Sequence, residues 1–258
     1  MSKMAVLQVY RTFLRQARRM AKRGEELEFR KPVPDNWGYY GYSETGLRYQ
    51  ASTLSELLGS SPSLRVALDL ESLDADWLRH VVRENFKDKK TASTAEVPRL
   101  MGEALAALRV LLEQLYLNRC SSSCTSDGVR VDATSKYSTQ AGTPHSGRNH
   151  NLFSYRIRIT NLREEPIQVM GREWTIKNDK GAVVVHVPHV VGNAVVGQQP
   201  IVPPNDCFEY ISGTDLDTPS GLQSGRLEIA VLEGGRPSQT LMVPVRPFAH
   251  MRPEVQRQ

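Results

Sequence analysis

Seven basic side chains and no acidic one fall within the first 23 residues: Lys3, Arg11, Arg15, Arg18, Arg19, Lys22 and Arg23. Tyr10 stands among them. A row of cations beside an aromatic recognises charge and does not break bonds, so an acidic partner is expected for this segment. Elsewhere, residues able to do chemistry are sparse. His186 and His189 flank Val-Pro, two imidazoles without the further ligands that a zinc or cobalt site requires. Asp206, Asp215 and Asp217 read as turn formers. Gly192-Asn193-Ala194-Val195-Val196-Gly197 has partial glycine spacing for a phosphate loop, but Pro200, Pro203 and Pro204 follow. No helix can open there to receive a phosphate. Cys120, Cys124 and Cys207 form no disulfide framework and read as reduced thiols. No Ser/His/Asp, Cys/His or paired-carboxylate arrangement stands out, so the expectation is a non-enzymatic binding protein with no cofactor of its own.

The elements that must position these residues come in two kinds. From about Met4 to Arg23, Val6, Leu7, Tyr10, Phe13, Leu14, Ala17 and Ala21 recur at three- and four-residue spacings, the period of an amphipathic helix. Gly24 is a natural stop. Residues 30–50 are rich in Pro, Gly and aromatics (Pro32, Pro34, Trp37, Gly38, Tyr39, Tyr40), which argues for an ordered, non-helical insertion within about 25–72, with a short helix near Thr53–Leu58. A second helix is expected over Asp74–Lys87, capped by Asp74. A third is expected from near Thr94 to about Leu117, with Pro98 in its first turn and Leu100, Leu105, Leu108, Leu111, Leu112 and Leu115 as its apolar face. Residues 121–127, with Ser121–Ser123 and Asp127-Gly128, read as a linker. Beyond it apolar residues alternate, as in Val129/Val131, Tyr155/Ile157/Ile159, Ile167/Val169, Leu227/Ile229/Val231 and Leu241/Val243/Val245. Seven or eight short strands predict an antiparallel sandwich over 128–250, with a tail at 251–258. The class is α+β, multidomain: a three-helix module (1–120) followed by an all-β module.

Val9-Tyr10-Arg11 with Leu14-Arg15, then Val82-Arg83-Glu84-Asn85-Phe86-Lys87, then the apolar third helix, together resemble the LYR-motif (complex 1 LYR-like) family, with Val9 in the place of the usual Leu. The resemblance covers roughly residues 4–118, apart from the insertion. It implies a three-helix protein that binds mitochondrial acyl carrier protein. Tyr10, Arg11, Arg15, Arg18, Arg83 and Lys87 would meet the carrier and its phosphopantetheine arm. Phe13, Leu14, Phe86, Leu105 and Leu108 would line the acyl-chain pocket, and the acyl-phosphopantetheine would be supplied by the carrier. Exposed ion pairs contribute only ~0.2–1 kcal/mol each, whereas a buried methylene contributes ~0.8 kcal/mol. The chain should set affinity and the charges should set rate and orientation. On the residues alone, Tyr10 also reads as an ordinary core aromatic.

Tyr155-Arg156-Ile157-Arg158-Ile159-Thr160-Asn161, Arg172-Glu173-Trp174, Phe208-Glu209-Tyr210-Ile211-Ser212-Gly213 and Thr218-Pro219-Ser220-Gly221 resemble the ApaG domain, over about residues 126–250. That resemblance implies a fibronectin type III-like sandwich. The bacterial family's link to cobalt and magnesium resistance keeps a metal-handling or enzymatic role on the β module as the alternative reading.

These readings combine in a mitochondrial, matrix-side accessory or assembly protein. Its helices would hold acylated carrier protein. Its β module would dock on a large complex, a mitochondrial ribosome or a respiratory complex. Aromatics between Trp37 and Tyr49 offer a third contact, and RNA contact through the basic helix is a further reading. No stretch reaches the ~20 apolar residues of a membrane span. The N-terminal segment also fits a mitochondrial targeting sequence. Cleavage would remove Tyr10-Arg11, so an uncleaved signal or none is expected.

Overall fold

Three amphipathic stretches fold as three helices, and the alternating stretches after them fold as a two-sheet antiparallel sandwich. The computed structural model describes residues 3–28, 30–31, 33–34, 40–42, 72–138, 151–190, 192, 194–195 and 197–253. The chain divides into a helical unit (residues 1–31 and 50–118) and a sandwich unit (residues 32–49 and 119–258).

In the helical unit α1 spans Lys3–Arg23 and stops at Gly24, whose φ of 61° suits glycine. Its last turn closes through Glu25 N–H to Met20 O at 3.0 Å. The strand β1 (Leu27–Glu28) follows. The strand β2 (Tyr40–Tyr42) belongs to the other unit, and β3 (Ser72–Leu73) returns to pair antiparallel with β1, Leu27 opposite Leu73. Helix α2 (Ala75–Asp88) starts at Asp74, whose carboxylate accepts from Trp77 N–H at 2.7 Å. Helix α3 (Val97–Arg119) begins later than the expected Thr94. A turn over 94–96 precedes it, bracketed by Ser93 and Glu96: Glu96 accepts from the Ser93 hydroxyl at 2.7 Å and from the Ser93 N–H at 2.9 Å. The Ser93 hydroxyl, then its N–H, hold the Glu96 carboxyl below its usual range. Phe13, Ala17 and Met20 of α1, Leu78 and Val81 of α2 and Leu111 of α3 form the core. Gln114, buried on α3, accepts from Arg30 N–H at 2.7 Å and donates to Arg30 O at 2.9 Å, tying the chain after β1 to the third helix.

In the sandwich unit the strands are β4 (Ser121–Ser126), β5 (Val129–Tyr137), β6 (Asn151–Asn161), β7 (Ile167–Asn178) and β8 (Val183–Val187). They continue as β9 (Ile201–Val202), β10 (Cys207–Leu216), β11 (Ser220–Glu233) and β12 (Arg236–Met251). One sheet runs β2-β10-β6-β5-β4 and the other β12-β11-β7-β8, with β9 on β7, all antiparallel. Ile157, Ile159 and Tyr210 from the first sheet meet Val169, Ile229 and Val243 from the second. The edge strand β12 carries Pro237, Pro244 and Pro247, residues that a sheet tolerates at its edge because they cannot donate to a ladder.

Two boundaries differ from expectation. Residues 121–126 are not a linker but the edge strand β4, paired with β5 from Ser121–Thr134 to Ser126–Val129. Asp127 and Gly128, with φ of 51° and 75°, form the two-residue turn of that hairpin. Ser121 and Ser123 make side-chain bonds across it to Thr134 (3.0 Å) and Asp132 (2.5 Å), so serine here serves strand pairing and not flexibility. Second, part of the insertion expected within the three-helix module belongs with the sandwich. The backbone of Tyr40–Tyr42 pairs with Phe208–Tyr210 of β10. The expected helix at Thr53–Leu58 and the aromatic contact residues Trp37, Tyr39 and Tyr49 lie outside the described residues. The expected tail begins later, since Met251 still pairs with Ser220.

Candidate functional site

Side-chain size along α3 opens a space in the helical unit. Its inward positions carry Met101, Ala104 and Ala107 before they become Leu111 and Leu115. Small side chains on the N-terminal half cannot fill the gap to α1 and α2. A cleft of about 1150 Å3 results, lined from Lys3 to Phe13 on α1, from Val81 to Lys87 on α2 with Lys89 and Lys90 after it, and from Val97 to Ala107 on α3. Its wall includes an aromatic cluster: the Phe86 ring lies 5.1 Å from Tyr10 and 6.4 Å from Phe13. Val6, Leu7, Leu100 and Met101 complete the apolar lining. The rim is cationic, with Lys3, Arg83, Lys87, Lys89, Lys90 and Arg99. Lys87 pairs with Glu84 at 3.5 Å and Arg99 with Glu103 at 2.5 Å, so part of that charge is offset locally.

Five of the eleven residues singled out from the sequence meet in this cleft: Tyr10, Phe13, Arg83, Phe86 and Lys87. Arg11, Arg15 and Arg18 are exposed on α1 and do not line it. They form one stripe, about 100° round the helix from Tyr10, with no ion pair to any described residue. Leu14 and Leu108 pack against the core outside the cleft. Leu105 is 51% exposed and does not line this cleft, which corrects its expected role. Position decides this: Leu105 and Leu112 are seven residues apart on the outward side of α3, while the inward row passes through alanines. A reading that followed leucines missed Ala104 and Ala107.

The sandwich offers a different inventory. His189 Nε2 meets Glu228 Oε2 at 2.9 Å, and His186 Nδ1 lies 3.5 Å from Thr175 Oγ1. Among the described residues no three His, Cys, Asp or Glu side chains gather as a metal site. Gly192 and Gly197 have φ of 88° and 73° and shape a loop that hydrogen-bonds back to Met170 O and closes a tight turn between Val195 and Gln198. It passes into β9, not into a helix. Cys120, Cys124 and Cys207 are in no disulfide, and the Cys207 sulfur accepts from Arg158 Nη2 at 3.1 Å.

His250, which the sequence reading passed over, is fully buried among Phe153, Tyr155 and Phe248. Its Nδ1 lies 2.7 Å from Ser135 Oγ and its Nε2 3.0 Å from Gln223 Oε1. Burial lowers its pKa to about 3, so it is neutral in the fold. The unfolded chain takes up a proton below pH ~6.5. The stability this neutral imidazole contributes is therefore complete above that pH and is lost as pH falls from there towards 3. Between pH 6.5 and 5 the sandwich should lose about 2 kcal/mol from this group. Urea unfolding at the two pH values measures it. A His250→Asn variant that kept the wild-type acid slope would refute the assignment.

Comparison with known proteins bears on the sandwich. The sequence model of the ApaG domain matches residues 142–230. Protein ApaG of Xanthobacter autotrophicus is 33% identical over 129 residues, covering 50% of this chain and 92% of that protein. Protein ApaG of a Shewanella strain is 35% identical over 126 residues, covering 49% and 92%. A solved structure from Bordetella pertussis, described as an ApaA protein, is 34% identical with a TM-score of 0.41, covering 48% of this chain and 94% of that one.

Proposed function

Because this chain belongs to the ApaG family through its β-sandwich, we propose that it is a two-unit, non-enzymatic adaptor: the helical unit holds an acylated carrier protein and the sandwich docks on a large complex. The observation that carries this reading is the apolar cleft with a cationic rim. An acyl chain on a phosphopantetheine arm has the matching polarity, with a lipid end, a phosphate and an acidic carrier behind it. Ligand pockets commonly enclose about 300–1,000 Å3, so a volume near 1150 Å3 suits an occupant as large as a long acyl chain. The exposed stripe Arg11, Arg15 and Arg18 flanks the cleft, and can steer an acidic helix before the chain enters.

The LYR-like order of motifs supports the same partner and, with it, a mitochondrial matrix setting in which the parent complex is a mitochondrial ribosome or a respiratory complex. Of the described helices none is long and apolar enough to cross a membrane. A mild pull-down of the full chain with mass spectrometry is the direct test. Recovery of acylated carrier protein together with one multisubunit complex is the expected result. Removing residues 119–258 should free the helical unit from the complex while it keeps the carrier. A preparation that yields no carrier protein, or a truncated chain that still co-sediments with the complex, would refute the corresponding half of the reading.

A further inference from the structure

We propose that the cleft is a length gauge: Ala104 and Ala107 admit the acyl chain along α3, and the Leu111 side chain sets where it stops. The inference rests on the carrier-protein reading and goes beyond it by naming the residues that select the ligand. The lining reaches Phe13 on α1 and Ala107 on α3 and goes no further. Past those positions α1 presents Ala17 and α3 presents Leu111, both fully buried, and α2 presents Leu78, which is 2% exposed. The packed end of the bundle therefore forms a floor. The opposite end is the mouth, where Lys3, Lys89 and Lys90 line the opening. The short connection 89–96 places the end of α2 and the start of α3 together there. Between mouth and floor, Val97 to Ala107 span about 15 Å of helix. Along that length an alanine leaves room for methylenes, and a leucine in its place fills it.

Each methylene that leaves water should tighten binding about fourfold, and a methylene that meets the floor should add nothing. The affinity of the full chain is measured for carrier protein loaded with octanoyl, dodecanoyl, hexadecanoyl and octadecanoyl chains. Wild type should tighten with length and then level off. Ala107→Leu should level off at a shorter chain than wild type. Leu111→Ala should continue to tighten past the wild-type limit, a gain that loss of folding cannot mimic. If wild type levels off but neither variant moves that point, the gauge is wrong and the carrier reading stands. If wild type binds all four forms equally, no chain enters the cleft, and both the gauge and the carrier reading fall.

Discussion

Phe86→Asp should abolish carrier-protein binding at every salt concentration. Phe86 joins Tyr10 and Phe13 in the wall of the cleft, so the substitution puts a carboxylate in the apolar wall that the proposed acyl chain would have to pass. Burying a charge without a partner costs far more than the lost ring contact, and an affinity loss of at least roughly a hundredfold is expected. Arg11→Glu with Arg15→Glu touches only exposed positions outside the cleft. It should slow association, with an effect that shrinks as salt rises and screens the charges. Association and dissociation rates measured at two ionic strengths separate the cases. Binding by Phe86→Asp within tenfold of wild type would show that the chain does not enter between the helices.

Gly225→Ala should be the most damaging single methyl addition in the sandwich. Gly225 sits in β11 between β7 and β12, opposite Trp174 and Val245, next to a register shift. A Cβ there would stand 1.9 Å from Glu173 O and 2.5 Å from Trp174 Cε3. Backbone and a buried ring cannot withdraw, so the two strands would have to separate. The cost should reach about 3 kcal/mol or more, the upper end for overpacking, against the ~5–15 kcal/mol that holds a typical domain. Gly102 is the matched control. It lies exposed within α3 with nothing within 4 Å of its added Cβ. Gly102→Ala should stabilise the helical unit by about 0.4–1 kcal/mol through helix propensity and unfolded-chain entropy. Thermal or urea unfolding of the two variants reads both signs. A neutral Gly225→Ala would mean that the strands at this bulge are not packed as described.

What the sequence determined follows from local periodicity. The 3.6-residue pattern of α1, the Asp74 cap, the Gly24 stop and the alternation in β5 to β11 each depend on neighbours close in the chain. They were legible, as was the switch from helices to strands near residue 120. Tertiary structure decided what depends on a partner distant in sequence. Ser121–Ser126 has a linker's composition and becomes a strand because β5 offers it a ladder. Tyr40–Tyr42 has no helical or strand period of its own, and β10 recruits it. Simple alternation from Leu241, Val243 and Val245 would send His250 outward. The register shift facing Gln223–Gly225 moves the inward set to Phe248 and His250, because one extra residue flips every later side chain to the other face. On α3, the leucines marked a helix and, at Leu111 and Leu115, its packed end, but not the inward side of its first half. That side, and with it the cleft, was fixed by alanines that carry almost no hydrophobic signal and matter only for the space they leave between three packed helices.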